Sequence, residues 1–225
     1  MPPSRENEFV IKVCGITNEA DAQIAVEAGV NAIGLNFYGR SPRFISAGRA
    51  REIASLIPVS ILKIGVFVND DADNITAIAK HVQLDVIQLH GTIRGDLSGF
   101  RIWRAVPVDE QFPDSLHNLL DGEITAEAYL LDTPTKHFGG SGRAFEWSRV
   151  AGLSQRIVLA GGLDASNVGQ AISIAHPWGV DACSRLELSP GKKDAQKMRD
   201  FVAEALRAGL GGARRTEPLK QELLS

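Results

Sequence analysis

Short apolar runs alternate with amphipathic segments along almost the whole chain. Between the runs, apolar residues recur at spacings of three and four, as at Ile75, Ile78, Ala79 and Val82, which is typical of a helix with one buried face. The alternation of strand-like and helix-like segments indicates repeated βα units and a parallel sheet. Eight such units predict an α/β fold, a single-domain (β/α)8 TIM barrel. The eight predicted strands cover residues 9–14, 32–37, 62–68, 86–90, 102–106, 128–132, 157–160 and 180–183.

The predicted barrel accounts for nearly the full length of 225 residues. We expect residues 9–209 to form one catalytic domain, since no interior stretch is left over for a second one. Residues 1–8 are polar and are expected to form an N-terminal extension. Residues 210–225 mix Gly, Arg, Glu and Lys without a clear period and are expected to form a flexible C-terminal tail.

The fourth crossover and the last helix carry further local signals. Residues 93–99 are too few and too rich in glycine for a good helix, so the fourth crossover is expected to be irregular. The last helix is predicted over residues 194–208, with Gly209 as a left-handed residue that ends it. We expect this helix to close the fold through its apolar face.

Composition and charge exclude several classes of function. The chain carries 24 basic and 27 acidic side chains, a net charge of -3, so a nucleic-acid partner is not expected. Residues 1–8 have no signal-peptide core, and no apolar run approaches the roughly 18 residues of a membrane span, so we expect a cytoplasmic protein with no membrane partner. The cysteines Cys14 and Cys183 have no histidine cluster beside them, so no metal site is expected.

Two glycine-rich turns follow the sixth and seventh predicted strands, at the barrel end that carries functional groups. Glycine has no Cβ, so the backbone N–H groups of such a turn can approach an anion closely. Most single turns of this kind are only tight turns, but the pair favours a phosphate-binding site. The turns are Gly139-Gly140-Ser141-Gly142 and Ala160-Gly161-Gly162-Leu163.

Polar residues at or just beyond the ends of other predicted strands are candidates for chemistry. Cys14 is either a small buried residue or a base or nucleophile, and Asp132 is either a cap on the next loop or a catalytic acid. Together they would form an acid–base pair across the barrel mouth. Arg43 is either a carboxylate-binding residue or a plain surface arginine. His90 is either a polar residue whose hydrogen bonds the protein itself satisfies or a residue that takes part in the chemistry.

The motifs around these candidate residues, in their order along the chain, resemble those of the phosphoribosylanthranilate isomerases of tryptophan biosynthesis. The resemblance runs from Lys12 to Phe201. It rests on Lys12-Val-Cys-Gly-Ile-Thr17, Ser41-Pro-Arg43, Gly65-Val-Phe-Val-Asn69, Gln88-Leu-His-Gly91, Leu131-Asp-Thr133, Gly139-Gly-Ser-Gly142, Ala160-Gly-Gly-Leu163, Gly179-Val-Asp181, Glu187 and Pro190-Gly-Lys-Lys-Asp194.

The resemblance implies an Amadori rearrangement of N-(5-phosphoribosyl)anthranilate, without metal or organic cofactor. Asp132 matches the family's general acid, which protonates the ribose ring oxygen, and Cys14 matches the general base, which removes the proton from ribose C2. The acid must begin protonated and the base must begin as thiolate. We therefore expect a raised pKa of Asp132 or a lowered pKa of Cys14 in the bound site.

The resemblance also implies how a small phosphoribosyl substrate is held. Arg43 would bind the anthranilate carboxylate, the glycine turns would bind the phosphate, and Asp181 and His90 would line the pocket. A monomer or a homodimer is expected. The implied substrate-binding set is Arg43, His90, Asp181, Gly139, Gly140, Ser141, Gly142, Gly161, Gly162, Ser184 and Arg185.

The segment after the eighth predicted strand departs from the family pattern. Arg185 stands where a glycine would let the backbone approach the phosphate. Either its N–H still donates with the side chain turned away, or the guanidinium joins the phosphate shell. Cys183 is expected near Cys14, because the first and eighth strands of a barrel are neighbours; it is then either a small wall residue or a partner in a disulfide.

Two other classes of function stay open at this point. A different phosphosugar barrel enzyme would share the phosphate turns, but it would need a metal ligand set or paired strand-end aspartates. A sensor that binds a phosphorylated ligand without turnover is the non-enzyme alternative, and Arg185 is its best support.

Overall fold

Eight parallel strands close into a barrel in the computed structural model of the chain, which describes residues 9–120, 125–133 and 145–213. Each strand pairs with the next, and the eighth pairs with the first. The predicted (β/α)8 TIM barrel is confirmed. The strands are β1 (Val10–Cys14), β2 (Ala32–Asn36), β3 (Leu62–Val68), β4 (Val86–His90), β5 (Ile102–Pro107), β6 (Ala128–Asp132), β7 (Ile157–Leu159) and β8 (Gly179–Ala182).

Helices on the outside cover the barrel. They are α1 (Glu19–Ala28), α2 (Ala47–Leu56), α3 (Ala72–Val82), α4 (Asp114–Leu120), α5 (Val168–Ala175) and α6 (Ala195–Ala213). Single 3-10 turns cover Trp147–Val150 and Ser184–Leu186, and a short hairpin follows, of β9 (Glu187–Ser189) and β10 (Lys192–Lys193). Residues 91–101, all of them described, contain no helix, which confirms the irregular fourth crossover. Within the described ranges, no helix is both long enough and apolar enough to pass through a bilayer.

Local sequence signals explain where several helices begin and end. Asn18, Ser46 and Asp71 each precede a helix and accept a hydrogen bond from a backbone N–H two or three residues further on. This bond satisfies one of the N–H groups that the first helical turn leaves without a partner. Gly29 ends α1 with φ 96, in the left-handed region that glycine enters without strain.

The last helix is longer than predicted. α6 continues to Ala213, so residues 210–213, which the sequence assigns to a flexible tail, are helical. Gly209 lies inside the helix, where a Cβ would come 2.6 Å from Phe9 Cδ1. The glycine therefore allows the helix to pack against Phe9, and its predicted role as a helix end is wrong. Residues 1–8 and 214–225 lie outside the described residues, and their assignment stays a prediction.

Side-chain alternation along the strands decides what faces the inside of the barrel. Near the beginnings of the strands, inward positions form one buried cluster of mostly apolar side chains that includes Val10, Val86 and Ala128. Further along the strands, the same parity brings polar residues inward. Lys12 and Cys14 follow Val10 on β1, and the other polar residues of this layer are Gln88, His90, Asp132 and Asp181. The barrel is therefore apolar at its base and polar at its mouth.

Candidate active site

The polar mouth of the barrel forms a cavity of about 540 Å³. The strand ends and the loops that follow them supply its walls, as expected for a barrel of this kind. The structure brings together nine residues of the predicted site: Cys14, Arg43, His90, Asp132, Gly161, Gly162, Asp181, Ser184 and Arg185. Gly139, Gly140, Ser141 and Gly142 lie outside the described residues, so their role in phosphate binding stays a prediction.

Asp132, at the end of β6, has the properties of a proton donor. Burial raises the pKa of Asp132 to about 6; the N–H of Thr133 opposes the shift and Cys14 adds to it. Gly161 lies directly against the carboxyl group, with φ +85. A Cβ there would come 2.7 Å from Asp132 Oδ1, so both the left-handed backbone and the close approach require glycine.

Cys14, at the end of β1, has the properties of a proton acceptor. A hydrogen bond with Cys183 lowers the pKa of Cys14 well below its usual value despite burial, and Lys12 and Lys193 lower it further. A Cβ on Gly34 would lie 2.6 Å from Cys14 Sγ and 3.1 Å from Lys12 Nζ, so the glycine leaves room for the thiol beside the ammonium. The shifts of Cys14 and Asp132 both have the direction that the resemblance implies.

Lys12 is a central residue of the site that the sequence analysis did not include. Its Nζ donates to Asp181 Oδ1 over 2.9 Å, and both side chains are buried. Burial opposes the charged form of Lys12, but Asp181 and Cys14 raise its pKa above the usual value. Burial raises the pKa of Asp181 to about 7, although Lys12 opposes that shift. The available signal was a lysine at an inward position two residues before the candidate base.

Arg43 is engaged in an ion pair that the sequence analysis did not anticipate. Its Nε and Nη2 donate to the two carboxylate oxygens of Glu187 over 2.8 and 2.7 Å. Lys193 Nζ donates to the same carboxylate over 3.1 Å. The pair occupies two of the five N–H donors of the guanidinium and leaves the others for a ligand. Glu187 therefore fixes the orientation of Arg43 in the wall of the cavity.

His90, at the end of β4, is a neutral wall residue. Burial lowers its pKa to about 4, and the charges of Lys12 and Arg104 contribute. The Gln88 amide nitrogen lies 3.0 Å from His90 Nε2, so the two side chains are hydrogen-bonded. Near neutral pH, His90 therefore offers hydrogen bonds and does not carry a charge.

The cavity wall beyond β7 and β8 is suited to an anion. Gly161 and Gly162 both line the cavity and have φ values of 85 and 64, and without a Cβ they let a ligand approach the backbone closely. Arg185 Nε donates to Asp164 Oδ2 over 2.9 Å, so an ion pair joins the loops that follow the two strands. The side chain of Arg185, which stands where the family pattern has a glycine, is therefore held by a carboxylate.

The fold and the site define a (β/α)8 barrel with a polar cavity at its mouth, the position of the active site in enzymes of this fold. The sequence model of the family described as N-(5'phosphoribosyl)anthranilate (PRA) isomerase matches residues 11–204. The chain belongs to the N-(5'-phosphoribosyl)anthranilate isomerase family. The family, the isomerase class and the place in tryptophan biosynthesis that the sequence predicts are confirmed.

Relatives and solved structures support this membership over nearly the whole chain. The N-(5'-phosphoribosyl)anthranilate isomerase of Solibacter usitatus is 48% identical over 207 residues, which cover 90% of this chain and 100% of the relative. The crystal structure of phosphoribosyl anthranilate isomerase from Thermotoga maritima has a TM-score of 0.78 and 36% identity, over 88% of this chain and 98% of the other. A phosphoribosyl anthranilate isomerase in complex with reduced 1-(o-carboxyphenylamino)-1-deoxyribulose 5-phosphate has a TM-score of 0.73 and 33% identity, with the same coverage.

Proposed function

We propose that the barrel mouth converts N-(5-phosphoribosyl)anthranilate to 1-(2-carboxyphenylamino)-1-deoxyribulose 5-phosphate, with side chains as its only acid and base. One observation carries the proposal: Asp132 and Cys14 line the same cavity, and their pKa values are shifted in opposite directions. A carboxyl with a raised pKa retains a proton to give, and a thiol with a lowered pKa accepts one.

Asp132 would act first, as the general acid. It donates its proton to the ribose ring oxygen while the bond between that oxygen and C1 breaks. The lone pair of the anthranilate nitrogen forms a double bond to C1, which gives an open-chain protonated Schiff base. The positive charge on nitrogen then acidifies the proton on C2.

Cys14 would act next, as the general base. Its thiolate removes the proton from C2, and the electrons of the C–H bond form a C1–C2 double bond and neutralise the nitrogen. The resulting enolamine tautomerises to the ketone: C1 gains a proton, the C2 hydroxyl loses one, and Cys14 and Asp132 thereby return to the thiolate and the protonated carboxyl. The substrate and the product are isomers, so no electron acceptor is needed.

The remaining residues would hold the two ends of the substrate. Arg43, oriented by Glu187, binds the anthranilate carboxylate. The predicted glycine turns and Ser184 bind the phosphate, while Asp181 and His90 line the pocket between the two ends. Anchors at both ends orient C2 between acid and base, so their loss lowers the rate as well as the affinity.

The setting of this reaction is also part of the proposal. We infer a small-molecule phosphoribosyl substrate, no nucleic-acid or membrane partner, a cytoplasmic location and a monomer or homodimer. Support comes from the family's biosynthetic role and from the near-balanced charge of the chain. Cell fractionation tests the location, and sedimentation of the purified protein tests the oligomeric state.

The decisive experiment mixes the purified chain with phosphoribosylanthranilate, and follows the loss of substrate fluorescence and the appearance of product by mass-coupled chromatography. Chromatography must distinguish product from substrate, since the two have the same mass. We expect catalytic turnover with no added metal or cofactor. Saturable binding without product would instead favour the phosphate-ligand sensor, and neither binding nor product would contradict both functions.

A further inference from the structure

Two thiols lie opposite one another where β1 and β8 close the barrel. The register pairs Lys12 with Asp181 and Val13 with Ala182, the residues directly before Cys14 and Cys183. The side chains of Cys14 and Cys183 lie within hydrogen-bonding range of each other. Both residues are free cysteines, and both line the cavity. The predicted proximity is confirmed, while a disulfide between them stays a prediction.

Lys193 holds Cys183 in place. Lys193 Nζ donates to the backbone oxygen of Cys183 over 3.1 Å and to its Sγ over 3.7 Å, and a bond to Glu187 fixes the ammonium. The Lys193 side chain has no exposed surface. A thiol has one proton, and a sulfur that accepts a bond from an ammonium directs its own S–H elsewhere. The sulfur of Cys14, at the end of the neighbouring strand β1, is an acceptor within hydrogen-bonding range.

We propose that Cys183 is a positioning residue that donates its S–H to the Cys14 sulfur, so that the two cysteines hold one proton and Cys14 carries the negative charge. This role depends on the proposed function of Cys14 as the general base. The hydrogen bond between the two is the largest cause of both the lowered pKa of Cys14 and the raised pKa of Cys183. One thiol therefore stays protonated so that the other can ionise.

The charges around the pair agree with a single thiolate. Lys12 attracts a negative charge on Cys14, Lys193 and Arg43 attract one on either sulfur, and Asp132 and Asp181 oppose one on Cys14. A second thiolate beside the first would be repelled, so the pair titrates as a unit. The titratable and charged groups that face Cys14 are Lys12 on β1, Arg43 in the β2–α2 loop, Asp132 on β6, Asp181 on β8, Cys183 after β8 and Lys193 on β10.

The chain offers a clean test, because it contains only two cysteines. Any substitution of Cys183 leaves Cys14 as the sole thiol, and its ionisation can be followed by thiolate absorbance near 240 nm. Cys183→Ser keeps a hydrogen-bond donor of similar size, and Cys183→Ala removes it. We expect the pKa of Cys14 to be about one unit higher in Cys183→Ala than in Cys183→Ser. Thermal unfolding of both variants checks that each is folded.

The pH dependence of kcat/KM is a second measurement on the same two variants. The acid limb of the kcat/KM profile should move to higher pH in Cys183→Ala by the same unit, so that the variants differ about tenfold on that limb and converge above it. Equal Cys14 titrations in the two variants would overturn the proposal and leave Cys183 as a wall residue. Titration does not depend on turnover, so an inactive wild type would contradict the proposed function alone.

Wild-type protein provides an independent check if Cys183→Ala does not fold. Iodoacetamide at neutral pH should alkylate Cys14 at least tenfold faster than Cys183, because the thiolate is the reactive form. Peptide mass spectrometry locates the modified residue. Equal labelling, or faster labelling of Cys183, would show that Cys14 does not carry the charge and would overturn the proposal.

Discussion

Lys12 Nζ and Asp181 Oδ1 lie 2.9 Å apart across the seam between β1 and β8, and neither side chain has appreciable contact with solvent. Burial of two charges is costly, and their mutual attraction compensates only while both partners are present. Within the pair, the Lys12 ammonium favours a negative charge on the proposed base Cys14, and the Asp181 carboxylate opposes it.

Lys12→Met should therefore reduce both stability and activity. Near pH 8, we expect a loss of about 3–5 kcal/mol in the free energy of unfolding, the usual cost of removing one partner of a buried pair. The pKa of Asp181 is about 7, so below pH 6 this group is largely neutral and has less need of Lys12. Urea unfolding should show a smaller loss at pH 5 than at pH 8; equal losses would contradict a charged pair.

Asp132→Asn should make the protein more stable above neutral pH while it removes the proposed acid. Burial raises the pKa of Asp132 from its usual 3.8 to about 6, so the contribution of this carboxyl to the free energy of unfolding is present below about pH 4 and is lost as pH rises through 6. Asparagine does not ionise, so the free energy of unfolding of the variant does not fall in this way. Relative to wild type, the variant should gain up to about 3 kcal/mol by pH 8. Urea unfolding across this range measures the gain, and a pH-independent difference would contradict the buried carboxyl.

Glu187→Gln should weaken substrate binding through Arg43. Without the second charged oxygen of Glu187, the guanidinium loses its fixed orientation, so we expect KM to rise about tenfold. Glu127→Gln is a matched control, because Glu127 forms the same two-point pair with Arg101 at the other end of the barrel. Steady-state kinetics should show little change in KM for that control. Equal effects in both variants would indicate a general loss of stability.

Arg185→Gly distinguishes the two roles left open for this residue. The ion pair with Asp164 uses the Nε–H of Arg185 and holds the side chain against the loop after β7, which favours phosphate binding by the backbone N–H. We therefore expect KM to stay within about twofold of wild type, with the same dependence on salt. A rise in KM that shrinks as salt increases would show that the guanidinium contacts the phosphate directly.

Much of the fold was predictable, because a strand buried on both faces is recognisable as a continuous apolar run. The run at 62–68 coincides with β3. The polar ends of such runs also located Cys14 and Asp132, since the carboxyl ends of barrel strands all face one mouth. These features depend on residues near one another in the chain.

The pairings within the site were not predictable, because they depend on contacts between distant segments. Arg43 and Glu187 are 144 residues apart, and Lys12 and Asp181 are 169 apart. No local pattern indicates which carboxylate each cation meets. Gly209 shows the same limit, because its packing against Phe9 overrides the usual tendency of glycine to end a helix.

The division of labour between Asp132 and Cys14 is the central claim, and a C2-deuterated substrate tests it most directly. The kcat/KM of Cys14→Ser and of Asp132→Asn would each be measured with protiated and deuterated substrate. In Cys14→Ser, removal of the C2 proton should limit the rate, so activity falls and a primary isotope effect is seen. In Asp132→Asn, ring opening should limit the rate, so activity falls with no primary effect. The reverse pattern, or full activity in either variant, would contradict the account.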